Sequence, residues 1–129
     1  MAMATRLIEP KEWERFFDEF SRAHEGDSVV MREIDSSVGD QVQAISPHFA
    51  GISADVRGSE PGAISVMLGS EVSNHIEHTI SKPTRVYFYE GTDRALITSI
   101  QIEQQEGPRL ILELHAAPVA VNDGGGVAE

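Results

Sequence analysis

The side chains best suited to chemistry in this 129-residue chain lie in residues 75–78, with the sequence His-Ile-Glu-His. Imidazole and carboxylate groups are the ligands that zinc and similar metals prefer. We therefore hypothesise a metal site at His75, Glu77 and His78. The simpler interpretation is that these are ordinary polar side chains beside a turn, because two histidines three residues apart also occur by chance.

The geometry of this cluster depends on residues 71–80, whose pattern fits either a helix or a strand. On a helix, Glu71 would join both histidines on one face and form a cage for a metal ion. On a strand, the first histidine and the glutamate point to one side, and the second histidine points to the other. A third ligand on the strand would have to come from His48 or His115.

A second candidate is the row Arg85, Tyr87 and Tyr89, which share one face of a strand predicted over residues 84–90. Tyrosine offers a flat apolar body with a hydroxyl tip, and arginine offers a planar fork of donors, so the row suits recognition of a ligand or partner. The other interpretation is a second, partly buried face of a sheet.

The element that organises the fold is a helix predicted over residues 9–26. Pro10 suits its first turn and Gly26 suits the position just past its end. Large apolar side chains recur at the three-and-four spacing of one helix face, which must dock on another element. This stripe consists of Trp13, Phe16, Phe17, Phe20 and Ala23.

The rest of the chain alternates apolar and polar residues, as half-buried strands do. The clearest pairing is a hairpin with Ile102 opposite Leu110 and Ile100 opposite Leu112, closed by a three-residue loop that ends at Gly107. A hairpin around residues 81–84 has two possible registers, and the pattern does not choose between them. Strands are predicted near residues 29–35, 42–44, 52–56, 64–68, 84–90, 96–102 and 110–114.

This pattern predicts an α+β fold: an N-terminal helix packed on a curved, mainly antiparallel sheet that closes into a barrel or near-barrel. Residues 1–118 form one domain, and residues 119–129 form a flexible tail. A chain of this length can bury one ordinary core.

Composition narrows the functional classes. The formal net charge of −11 disfavours binding to nucleic acid and to anionic membranes, because proteins bind both through their own basic side chains. The absence of cysteine excludes disulfides and thiolate sites, and it fits a reducing cytoplasm. The polar start is too short for a signal peptide, and no apolar run reaches the length of a membrane span. The expected location is therefore the cytoplasm.

No motif for a nucleophilic serine, a bound phosphate, a dinucleotide or calcium is present. We therefore expect no cofactor. A pair of carboxylates used for acid–base chemistry is not recognisable from sequence.

Several short motifs give the chain a family resemblance over about residues 5–117. The chain resembles the domain-of-unknown-function 5335 family of small uncharacterised bacterial proteins. The resemblance implies a bacterial origin and carries over no catalytic residue. The motifs are Glu12-Trp13, Phe16 through Phe20, His24-Glu25-Gly26, Gly51-Ile52-Ser53-Ala54-Asp55, His75 to Thr79 and Pro83-Thr84-Arg85-Val86.

We expect a non-catalytic binding or protein-interaction module that self-associates as a homo-oligomer, because no reactive constellation is recognisable and a small open barrel leaves sheet edges to be paired. The alternative is a small metal-dependent enzyme or ligand binder that uses the cluster at residues 75–78, with His48 or Asp55 as helpers. A third hypothesis is capture of a basic protein, which predicts binding that fades as salt is raised.

Overall fold

The computed structural model describes residues 4–35, 37, 39–46, 48–57, 60–69, 75–90 and 97–115. These ranges contain a 3-10 turn, a single α-helix and nine strands. The elements in chain order are β1 (Ala4–Ile8), the 3-10 turn (Pro10–Glu12), α1 (Trp13–His24), β2 (Ser28–Asp35), β3 (Gly39–Ser46), β4 (Phe49–Arg57), β5 (Glu60–Leu68), β6 (Ile76–Ile80), β7 (Pro83–Glu90), β8 (Ile97–Gln104) and β9 (Arg109–His115).

The predicted helix is confirmed, with a 3-10 turn at its start and Gly26 at a φ of 92° just past its end. Trp13, Phe17 and Phe20 are buried, and they pack between the helix and the sheets. Ala23 is exposed, so the apolar stripe ends one turn earlier than its spacing predicts.

Six strands form one antiparallel sheet in the order β1-β7-β8-β9-β2-β3. The predicted β8–β9 hairpin is confirmed, because Ile102 pairs with Leu110 and Ile100 pairs with Leu112. Gly107 adopts a φ of 114° in the turn, a conformation that favours glycine. Strand β8 ends at Gln104 and strand β9 begins at Arg109, so the loop between them is one residue longer than predicted.

The remaining strands form a separate sheet in the order β4-β5-β6. Residues 76–80 are therefore a strand, and neither register considered for a β6–β7 hairpin is present. Strand β6 pairs with β5, whereas β7 pairs with β1 and β8. In the described residues the two sheets are not closed into one barrel, so the near-barrel description holds only loosely.

Strand β1 was not predicted from the sequence. It pairs along one edge of the large sheet, from Ala4 opposite Glu90 to Ile8 opposite Val86. Ile8 is buried, and the guanidinium of Arg6 lies over the rings of Phe16 and Phe88. A charged residue on the inward side of a five-residue strand hides the alternation that sequence analysis relies on.

The core lies where the faces of both sheets and α1 meet. We call the side of the six-stranded sheet that contacts this core its inner face. The largest buried side chains of the core include two from α1 and one from the start of β4, and the rest come from strands of both sheets. They are Trp13, Phe17, Phe49, Ile8, Ile64, Leu68, Ile80, Ile100, Ile102, Leu110, Leu112 and Leu114.

Ser21 connects the helix to the free edge of β4. Its Oγ accepts a hydrogen bond from the backbone N–H of Ile52 at 2.9 Å and donates one to the carbonyl of the same residue at 3.0 Å. One hydroxyl therefore satisfies both polar groups that a neighbouring strand would otherwise pair.

We expect Ser21→Ala to lower the free energy of unfolding by about 1–3 kcal/mol, because it leaves both backbone groups of Ile52 without a partner. Urea denaturation followed by circular dichroism measures the change. Ser53→Ala on the exposed side of β4 is the control and should change stability by less than about 0.5 kcal/mol. Equal effects of the two substitutions would contradict this role for Ser21.

The predicted tail at 119–129 lies outside the described residues. In the described ranges, no helix combines the length and apolar character needed to cross a bilayer.

Candidate functional site

The outer face of the six-stranded sheet points away from the core. Strand alternation and register place Arg85, Tyr87 and Tyr89 together on this face, as predicted. Tyr87 lies beside Leu7 on one side and Gln101 on the other. The outer face consists of Thr5, Leu7, Arg85, Tyr87, Tyr89, Ser99, Gln101, Glu103, Arg109, Ile111, Glu113, His115, Ser28, Val30, Arg32, Ile34, Asp40, Val42 and Ile45.

A bulge in β3 adds two apolar side chains to the outer face. Met31 pairs with Ala44 and Arg32 pairs with Val42, so Gln43 is an extra residue in β3. Because of that extra residue, Val42 and Ile45 lie on the same face although they are three positions apart. They are 47% and 72% exposed, and Leu7 at the opposite edge is 47% exposed.

The charged side chains of the outer face neutralise one another. The Nε of Arg32 lies 3.3 Å from a carboxylate oxygen of Glu113, and one of its terminal nitrogens lies 3.6 Å from Asp40. This Nε is buried, and its contact with the Glu113 carboxylate is an ion pair. Glu113 raises the pKa of Arg32, with a smaller contribution from Asp40.

A second ion pair joins Arg85 to Glu103 at 3.5 Å. With Arg109, the face holds three arginines against three carboxylates, Glu103, Glu113 and Asp40. It has no net formal charge when His115 is neutral, whereas the whole chain carries −11.

The residues of the hypothesised metal cluster do not share one site. The Nε2 of His78 lies 3.7 Å from a carboxylate oxygen of Glu33 on β2, which links the two sheets. Glu77 is exposed opposite Met67 on β5. In the described ranges, no group of three histidine, aspartate or glutamate side chains is arranged to hold a metal ion.

His75 instead lines a cavity of about 310 Å³ together with His48. Its other lining residues come from the end of α1, the start of β4 and the residue after β5. They are Glu25, Gly26, Phe49, Ala50 and Gly69. The remaining suggested helpers are elsewhere: Asp55 is exposed on β4, and His115 is on the outer face of the larger sheet.

Comparison with known proteins assigns a family. The model of a family of unknown function, DUF5335, matches residues 4–123. The chain belongs to the DUF5335 family. An uncharacterised protein from Aquifex aeolicus (strain VF5) is 28% identical over 115 residues, which cover 89% of this chain and 96% of that protein. No solved structure matches the chain.

The family assignment confirms the resemblance described above and carries no activity with it. In this DUF5335 chain, the aromatic motif in α1 forms core, since Trp13 and Phe17 are fully buried. The motif His24-Glu25-Gly26 and the start of the motif at 75–79 reach the cavity of His75.

Sequence analysis missed the contribution of β3 to the outer face. The detectable signal was its composition, because residues 41–46 carry no charge in a strongly acidic DUF5335 chain. The bulge itself depends on pairing between β2 and β3, which alternation within one strand does not reveal.

Proposed function

We propose that this protein is a non-catalytic interaction module that self-associates, with the outer face of the six-stranded sheet contacting the same face of a second copy. The observation that carries this proposal is a neutral face with exposed apolar side chains in a chain of net charge −11. Edge strands and sheet faces are usually protected by charged side chains, and residues 41–46 of the edge strand β3 lack them.

The neutrality of the outer face favours a second copy over a charged partner. Two molecules that each carry −11 repel one another overall, so a face without net charge is the surface through which two copies approach with least repulsion. On the outer face, Arg32 and Arg85 are already paired with carboxylates of the same molecule, which leaves no surplus charge to attract a basic or acidic protein. A contact about a two-fold axis places the same surface on both sides, so a surface without net charge avoids like-charge repulsion across it.

The size of the face suits a dimer. Six strands spaced at about 4.8 Å, each about seven residues long, give a surface on the order of 700 Å². A stable interface of ordinary size buries about 800 Å² on each partner. The aromatic side chains of Tyr87 and Tyr89 and the apolar Leu7, Val42 and Ile45 supply the kind of surface that interface cores use.

No specific observation favours the metal-dependent alternative. His75 and His78 have different neighbours, and Glu77 faces solvent on the opposite side of β6 from His78. The described residues also contain no three-ligand group for a metal.

We expect the wild-type protein to dimerise at micromolar concentrations and Ile45→Glu to raise the dimer dissociation constant by about 100-fold or more. The effect is large because a two-fold interface contains each substitution twice, so two new carboxylates replace apolar side chains in the contact. Sedimentation equilibrium measures the dissociation constant. Leu7→Glu, at the other edge of the outer face, should act in the same direction.

Ile76→Glu is the matched control, because Ile76 is 41% exposed on the smaller sheet. It should leave the dissociation constant unchanged. Raising the salt concentration from about 50 to 500 mM should strengthen the dimer by screening the repulsion between two acidic molecules. A wild-type protein that stays monomeric at hundreds of micromolar, or a dimer weakened equally by Ile76→Glu, would refute the proposal.

A further inference from the structure

The cavity beside His75 is separate from the outer face and has a backbone frame of its own. The N–H of Gly26 donates to the carbonyl of Phe49 at 2.9 Å, and the N–H of Phe49 donates to the carbonyl of Asp27 at 2.8 Å. The N–H of Gly69 donates to the carbonyl of His48 at 2.8 Å. The end of α1, the start of β4 and the residue after β5 are therefore tied together around the cavity.

The backbone of His48 makes two hydrogen bonds with the side chain of Ser46. The Oγ of Ser46 accepts a hydrogen bond from the N–H of His48 and donates one to its carbonyl, both at 3.1 Å. Ser46 is the buried polar residue of the described core, at 7% exposure. A buried hydroxyl thus holds the backbone of His48, an exposed residue that lines the cavity. A rigid backbone beneath an exposed polar side chain suits a binding site.

The lining of the cavity combines apolar residues with one acidic residue and two histidines. Phe49 is buried and Ala50 is half-buried, whereas Glu25, His48 and His75 are exposed. The described lining contains no lysine or arginine, so Glu25 is its one charged residue when the histidines are neutral. Each neutral imidazole offers one hydrogen-bond acceptor in addition to the carboxylate oxygens of Glu25.

We propose that this cavity binds a small molecule that carries a protonated amine on a short apolar body. The ammonium group pairs with Glu25 and donates to an imidazole nitrogen of His48 or His75, while the apolar body covers Phe49 and Ala50. A volume of about 310 Å³ lies at the lower end of the range for small-molecule sites, so the ligand is small. The net charge of −11 also attracts cations and repels anions.

Three probes with one aromatic body and different charges test this proposal: 2-phenylethylamine, 2-phenylethanol and 3-phenylpropanoate. Titration at about pH 8, followed by amide chemical shifts, measures each dissociation constant and locates the binding site. We expect the amine to bind with shifts at residues around Gly26 and Phe49, the alcohol to bind at least about tenfold more weakly, and the carboxylate not to bind.

Glu25→Gln should weaken amine binding at least about tenfold, because it removes the carboxylate that pairs with the ammonium group. Glu19→Gln on the exposed side of α1 is the matched control, since it removes the same charge without contacting the cavity. Equal binding of amine and carboxylate, equal effects of the two substitutions, or no amine binding at about 10 mM would each overturn the proposal.

Discussion

Replacing Trp13 with alanine is expected to lower the free energy of unfolding by about 3–5 kcal/mol. Trp13 has no exposed surface, and its indole Nε1–H donates a hydrogen bond to the carbonyl of Ile8 at 2.9 Å. Alanine would leave a large cavity at the start of α1 and would also leave that carbonyl without its partner. The indole therefore stabilises both the core and the position of β1. Urea denaturation of the purified variant measures the loss.

Trp13→Phe separates the two contributions, because it keeps an aromatic ring in the core and removes the N–H donor. We expect it to cost about 1–3 kcal/mol, which is the cost of leaving a buried acceptor unpaired. Phe16 is only partly buried at the edge of the core, so Phe16→Ala provides a comparison at a more accessible ring. A cost for Trp13→Ala no greater than that of Phe16→Ala would show that the buried indole does not anchor the core.

The second large effect is expected at Gly62, where alanine should lower the free energy of unfolding by about 3 kcal/mol or more. An added Cβ would overlap the backbone carbonyl oxygen of Asp55 on the neighbouring strand. A carbonyl in a strand cannot rotate away as a flexible side chain can, so β4 and β5 would have to separate locally. Thermal and urea denaturation both measure this cost.

Gly51 in β4 is the matched control for Gly62. Its added Cβ would meet the Oγ of Ser21 at 3.6 Å and the terminal methyl carbon of Met67 at 3.9 Å, which are ordinary contact distances. We expect Gly51→Ala to change stability by less than about 1 kcal/mol. If Gly51→Ala proved as destabilising as Gly62→Ala, close approach of the two backbones would not explain the requirement for glycine.

Local patterns predicted α1 and the β8–β9 hairpin because each is specified by neighbouring residues. The spacing of Trp13, Phe17 and Phe20 already defines the buried side of the helix. In the hairpin, the short separation between Ile102 and Leu110 leaves few registers, and Gly107 selects the turn.

Long-range pairing explains what the sequence did not predict. The pattern of residues 76–80 fits a hairpin with β7 as well as it fits the observed pairing with β5, because only the position of the distant strand decides between them. Strand β1 is recognisable only once β7 is in place beside it. The division into two sheets follows from the same kind of non-local contact.

In the candidate sites as well, local patterns predict some features and long-range pairing decides the others. Alternation predicts that Arg85, Tyr87 and Tyr89 share a face, and their register confirms it, but their role in association remains a prediction. Alternation also separates His78 from Glu77 on β6. It does not reveal that His48 and His75 line one cavity, because 26 residues, β4 and β5 among them, separate the two histidines in the chain.

The position of β9 has a consequence for how this chain is made. This seven-residue strand comes last among the described elements, yet it lies between β8 and β2 in the middle of the larger sheet. During translation, β2 and β3 leave the ribosome long before the strand that separates them from β8 exists. The apolar surfaces of the aromatic helix and of the incomplete sheet are therefore exposed to solvent for most of the synthesis of the chain. This makes translation the stage at which aggregation is most favoured.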